Sequence, residues 1–230
     1  MTPKQLTELL QNRFGELLES NVLALDEVTI EVSKTNLMEV CKALQSEADL
    51  AFTQLIDLCG VDYSTYGQTE WATDDATDEG YSRGVDPTLA LQSKWSKPRF
   101  ASVIHLLSMD HNARLRVRTF VEEDDLVIPS IVDVWNSANW YERESFDLFG
   151  ILYNGHNDLR RLLTDYGFVG HPFRKDFPLI GNVEMRYDAT EKRCIYEPVS
   201  IKPRITVPRV IRNERSTVES TEENTQSAGK

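Results

Sequence analysis

Two runs of alternating apolar and polar residues, Arg99 to Leu107 and Arg114 to Val121, flank the turn-forming stretch Asp110 to Ala113. Alternation with a period of two marks a strand with one buried face, and two such runs joined by a short polar turn make a hairpin. A sheet must stand at the centre of this fold. In the second run Leu115, Val117 and Val121 share one face, and Arg114, Arg116 and Arg118 share the other. The outer face is expected to be basic, either as a solvated sheet surface or as a strip for a partner.

The flanking elements follow from spacing. Leu6, Leu9, Leu10, Phe14, Leu17 and Leu18 recur at helical intervals, predicting a helix over 3–20 with Pro3 in its first turn. Val28, Ile30 and Val32 predict a half-buried strand, and Asn36 with Glu39 resembles a capping box ahead of Leu37, Val40, Cys41 and Leu44. Phe52 to Val61 reads as a short helix running into a strand. From Tyr66 to Lys97 the chain is acidic and poor in apolar residues, so it is expected to leave the core. Helical pattern resumes at Ser130, and Gly150 is placed to stop it after Phe149. Arg143 and Asp147 are spaced to pair across one turn. Asn154-Gly155 reverses the chain, and the glycines and prolines of 166–178 exclude regular structure. A hairpin-like pair, 183–187 with 193–196, follows, and 200–230 is expected to be a tail. The resulting fold class is α+β. A sandwich-like domain over 1–150, with a mixed sheet and packed helices, precedes an extended, loop-rich segment over 151–199.

Composition excludes several functions. The net charge of −12 argues against nucleic acid, although 160–212 is rich in Arg and Lys and suits an acidic protein partner. Cys41, Cys59 and Cys194 have no paired spacing, which predicts a reducing compartment and no local cysteine cluster. No apolar run is long enough to span a membrane, and Glu8, Glu16 and Glu19 are unlike a targeting peptide, so the chain is expected to be soluble.

Catalytic chemistry finds little support. Glu142, Glu144 and Asp147 are carboxylates of the kind that serve metals and acid–base steps, but Glu142 and Glu144 diverge on a helix. His105, His111, His156 and His171 lack metal-ligand spacing, and there is no Gly-rich phosphate loop or dinucleotide fingerprint. An enzyme using Glu142, Glu144 or His156 would need convergence that spacing does not supply. Aromatic, acidic and basic residues are instead interleaved from Asn139 to Glu197, as at contact surfaces.

Within that stretch, Glu142-Arg143-Glu144, Asp147-Leu148-Phe149, His156, Arg160, Leu162 and Leu163 resemble the signature of the 30-kilodalton subunit family of respiratory complex I. In bacteria this is the C subunit of NADH-quinone oxidoreductase. The likeness continues through Asp165-Tyr166-Gly167-Phe168, Gly170-His171-Pro172, Arg174-Lys175-Asp176-Phe177-Pro178, Arg186-Tyr187 and Tyr196-Glu197-Pro198-Val199. Before Arg99 it rests on Leu55, Asp57 and Val61-Asp62-Tyr63.

The resemblance implies a peripheral-arm subunit on the cytoplasmic side of a bacterial inner membrane. It would bind no cofactor itself, while NADH, FMN, iron–sulfur clusters and quinone are held by other subunits. Its chief neighbour would be the 49-kilodalton quinone-site subunit (the D subunit in bacteria), with the B and I subunits also near, and its C-terminal segment would embrace that chief neighbour. A homologous scaffold of a membrane-bound hydrogenase or photosynthetic NDH-type complex is the alternative. Arg160, Arg161, Arg174 and Lys175 are candidates for contacts to acidic groups of the neighbour, Arg160 and Arg161 equally for internal pairs with Glu142 or Glu144.

Overall fold

A computed structural model describes residues 1–66 and 95–202. Its contacts divide the chain into two compact units, Met1–Gln68 with Ser93–Asn182, and Thr69–Gln92 with Val183–Lys230.

The first unit is built on a five-stranded mixed sheet. Its strands are β1 (Leu18–Ala24), β2 (Glu27–Val32), β3 (Gln54–Asp62), β4 (Phe100–Ser108) and β5 (Ala113–Val121), in the order β1-β2-β5-β4-β3. Neighbours are antiparallel except β2 and β5, which run parallel. Register places Val28, Leu115, Leu106 and Leu55 in one row and Ile30, Val117, Ile104 and Leu58 in the next. These rows join one buried cluster with residues of α1 (Pro3–Phe14), α2 (Leu37–Ser46) and α3 (Ala138–Phe149). The hairpin expected at 99–121 is therefore β4–β5, and β5 sits between β2 and β4.

Several expectations are corrected. The first helix ends at Phe14, and Leu17 and Leu18 pack onto the core from a turn and from β1. Their helical spacing is coincidental, because pairing of β1 with β2 overrides local preference. β2 is not half-buried: five of its six residues are buried, Glu31 among them, since Lys97 and Arg118 pair with that carboxylate. Arg116 likewise pairs with Glu27 at 2.5 Å, so the expected basic face is largely a ladder of ion pairs. Asn36 precedes α2 without capping it through its side chain, which donates to the Leu17 carbonyl at 3.4 Å.

No helix forms over 52–58. Phe52 is buried with its amide on the Leu44 carbonyl and its own carbonyl accepting from Trp135 Nε1, and β3 starts two residues later. Nor does helix begin at Ser130. Residues 127–129 form a short strand, β6, parallel to β7 (Leu152–Asn154), and Ile131 to Trp135 are turns. Helix α3 starts at Ala138 and ends, as the glycine predicts, at Gly150 with φ of +81°.

At the ends of the acidic excursion Tyr63 and Trp95 stack with ring centroids 4.4 Å apart. Residues 67–94 themselves lie outside the described residues, as does the tail from 203.

The described part of the second unit is the hairpin β8 (Val183–Asp188) with β9 (Arg193–Pro198), as the sequence predicts. Register puts Val183, Met185 and Tyr187 opposite Pro198, Tyr196 and Cys194, and all six are exposed.

Candidate functional site: a loop tied to the end of a helix

Helix α3 places the signature residues because its close approach to the sheet is allowed at Gly60. A Cβ there would lie 2.6 Å from a ring carbon of Phe149 and 2.9 Å from the Ser145 hydroxyl. From that seat α3 turns Asp147, fully buried, toward the segment that follows β7.

Asp147 organises this segment. Its Oδ1 accepts from Arg161 Nη1 at 2.8 Å and from the Thr164 hydroxyl at 2.5 Å. Its Oδ2 accepts the amides of Leu162, Leu163 and Thr164 at 3.1, 2.7 and 2.9 Å. Burial opposes ionisation, but Thr164, Arg161 and the Leu163 amide outweigh it and hold the carboxyl well below its usual range. Five donors on one carboxylate fix a turn that has no ladder of its own.

The last carbonyls of α3 serve the same loop. Helix ends leave carbonyls without intrahelical partners. Here His171 Nδ1 donates to the Asp147 carbonyl at 2.9 Å, the Phe173 amide to Leu148 at 3.1 Å, and Arg174 Nε to Phe149 at 2.7 Å. Cationic Arg174 is also well placed against the negative end of the helix dipole. Arg161 Nη2 reaches the Gly170 carbonyl at 2.9 Å, and Phe173 packs edge-on to Phe149. Burial lowers the His171 pKa, so a neutral ring with its proton on Nδ1 suits this position.

A second buried carboxylate, Asp62 at the end of β3, ties down the far end of the loop. Arg99 grips it through Nε and Nη2 at 3.0 and 2.9 Å, and it accepts the amides of Ser64 and Lys175 at 2.9 and 2.8 Å. Arg99 also reaches Asp176 at 2.9 Å and Glu123 at 2.7 Å. Desolvation raises the Asp62 pKa, yet Arg99 and the two amides more than offset it. In the sequence Asp62 belongs only to the sparser likeness before Arg99, and nothing local couples it to Arg99 or Lys175.

Glu142 is the exception among these acids. It is fully buried, accepts from the Ser130 hydroxyl and the Ile131 amide, both at 2.7 Å, and among the described residues is paired with no base. Burial pushes its pKa up to about 7, against those two hydrogen bonds. It fastens the 130–135 turns to α3.

The remaining signature residues fall into place around the loop. Arg143 does not pair with Asp147; it donates to the carbonyls of Arg160 and Arg161 at 3.2 and 3.3 Å and covers the Trp140 ring. Arg161 is an internal partner, but of Asp147 rather than of Glu142 or Glu144. Among the described residues Arg160 pairs only with nearby Asp158, at the surface. His156 accepts the Asp158 amide on Nδ1 and donates from Nε2 to the Asn139 carbonyl. Glu144 is half-buried, Asp165 is exposed and accepts the Phe168 amide through its carbonyl, and the Lys175 and Asp176 side chains are exposed. Tyr187 belongs to the other unit.

While Arg161, Thr164, His171 and Arg174 turn inward, several apolar side chains of the loop turn out. Tyr166 and Val169 are 89% and 86% exposed, and Leu163, Phe173 and Leu179 are exposed as well. Among the described residues, no cluster of three His, Cys, Asp or Glu side chains is arranged to hold a metal, and no helix is long and apolar enough to cross a membrane.

Fold and site together define an α+β domain that presents a structured, apolar-tipped loop. Residues 30–183 match the family described as the respiratory-chain NADH dehydrogenase 30 Kd subunit. The chain is 55% identical over 214 residues to the C subunit of NADH-quinone oxidoreductase from Coxiella burnetii (strain Dugway 5J108-111), covering 92% of this chain and 94% of that one. It is 56% identical over 209 residues to the corresponding C subunit of Legionella pneumophila (strain Corby), covering 91% and 92%. A chain of the membrane-bound sulfane sulfur reductase, an archaeal respiratory membrane complex, shares the fold at a TM-score of 0.52. Their identity is 17%, and the match covers 77% of this chain and 85% of that one. The protein belongs to the 30-kilodalton subunit family of respiratory complex I.

Proposed function

We propose that this chain is a peripheral-arm subunit of a proton-pumping NADH:quinone oxidoreductase, binding no cofactor and catalysing no step alone. In this reading loop 158–182 docks on the neighbour that builds the quinone site, the 49-kilodalton subunit, with the B and I subunits nearby. The assembly sits on the cytoplasmic side of a bacterial inner membrane. The observation that carries the reading is the loop's division of labour, with Arg161, Thr164, His171, Arg174 and several amides committed to Asp147, Asp62 and the end of α3, and Leu163, Tyr166, Val169, Phe173 and Leu179 left outside. Contact surfaces gain affinity from such preorganisation because little entropy remains to be lost. The exposed face of β8–β9 is a second candidate contact.

Replacing Leu163 and Val169 together by Asp tests this. The expected result is an isolated chain whose melting temperature is unchanged, with loss of co-purification with the other subunits and of NADH:quinone reductase activity in membranes. Full assembly and activity in that variant would overturn the proposal.

A further inference from the structure

The turn between β1 and β2 carries a feature that the docking loop does not explain. Ala24 and Glu27 pair directly, so Leu25 and Asp26 form the whole connection. Both adopt left-handed backbone, with φ of 52° and 60°. Two-residue hairpin loops with both residues left-handed favour Asn-Gly, and a leucine there carries a steric penalty. Leu25 recovers none of it from its own fold, being 98% exposed. Asp26 is exposed too, and its carboxylate makes no hydrogen bond or ion pair among the described residues, whereas adjacent Glu27 is already paired with Arg116. Because β2 lies inside the sheet, the tip is held in a fixed direction.

We infer that Leu25-Asp26 is an anchor for another protein chain, the leucine entering an apolar socket and the Asp26 carboxylate meeting a Lys or Arg at its rim. The lone unpaired carboxylate beside the exposed leucine selects a cationic rim. The strained backbone persists because docking favours that leucine more than the turn disfavours it.

The inference rests on the reading that the chain is built into a larger assembly, which co-purification checks in the same preparation. With p-benzoylphenylalanine at position 25 of the full chain in its native cells, illumination is expected to give one discrete adduct to a different protein. Asp26→Lys in the same chain should reduce it about tenfold, since charge reversal at a rim disfavours the contact. A chain retained in the assembly without an adduct, or joined to a second copy of itself, would overturn the anchor. A chain that fails to co-purify even unsubstituted would instead remove the reading beneath it. Independently, the double substitution L25N and D26G suits the turn and should raise the melting temperature by a few degrees. It should also lower retention in the assembly about tenfold, as loss of a buried leucine would. A higher melting temperature with unchanged retention would refute the inference.

Discussion

Loop 158–174 and hairpin β8–β9 solve the problem of order in opposite ways. The loop contains no helix or strand, yet a buried carboxylate and three helix-end carbonyls hold its amides and side chains. The hairpin has six paired positions along two regular strands and an apolar face that is exposed throughout. An isolated two-stranded hairpin is marginal in water, because backbone ladders without apolar cover contribute little net stability. Regular structure is thus a poor guide to which segment is held firmly in the free chain.

The comparison breaks most directly at Asp147. Asp147→Ala strands Arg161 and several amides in a buried setting, and should cost about 3–5 kcal/mol. Calorimetry should record the loss, and limited proteolysis should cut the variant within 158–174 before any cut in the sheet. Continued protection of the loop would mean that its pins lie elsewhere. Asp147 and Asp62 both have depressed folded-state pKa values. Their stabilisation is therefore present above the unfolded value near 4, and is lost as pH falls through the lower folded values.

Glu142 has the opposite sign. Its folded pKa, about 7, exceeds the unfolded value near 4.3, so the stability it gives below that value is lost as pH rises through 7. Glu142→Gln should remove this slope, worth roughly 3 kcal/mol between pH 4 and 8, as read from urea melts across that range. A wild-type profile parallel to that of the variant would show that burial leaves the Glu142 pKa at its unfolded value.

Smaller effects sharpen the contrast from the hairpin side. Met185→Ser, on the exposed face, should change the isolated chain's stability by less than about 0.5 kcal/mol, as exposed substitutions do. The same change should matter within the assembly. Arg160→Ala should fall within about 0.5 kcal/mol in the isolated chain, since its ion pair with Asp158 is solvent-exposed. A larger loss at Arg160 would point to an internal role that its geometry does not suggest.

What the sequence made legible was local. The β4–β5 hairpin and the β8–β9 pair announce themselves by alternation, and the end of α3 by Gly150. The errors arose where a short apolar run fitted two periods: Leu17 and Leu18 continue a helical spacing although the helix has ended, and Phe52, Leu55, Ile56 and Leu58 suit a helix although β4 pairs with the chain from Gln54. Likeness to a family pointed to Asp147, Arg161, His171 and Arg174, but it gave neither their bonds nor the parts played by Arg99 and Thr164. Arg143 and Asp147 are spaced to pair across one turn, yet each bonds a backbone or side chain at least fourteen residues away. Long-range partners of this kind have no periodic trace.

The amide of Lys175 meets the Asp62 carboxylate although the two stand 113 positions apart in the chain, while Arg99 bridges to both segments. Contacts so distant in sequence close late, since the chain must order much of itself before they can form. Synthesis runs from the N-terminus, so a sheet emerging from the ribosome waits for its clasp until the loop has followed. The shape of the loop is therefore a late product of the fold: it is complete only once the sheet that holds Asp62 and Arg99 is in place to receive it.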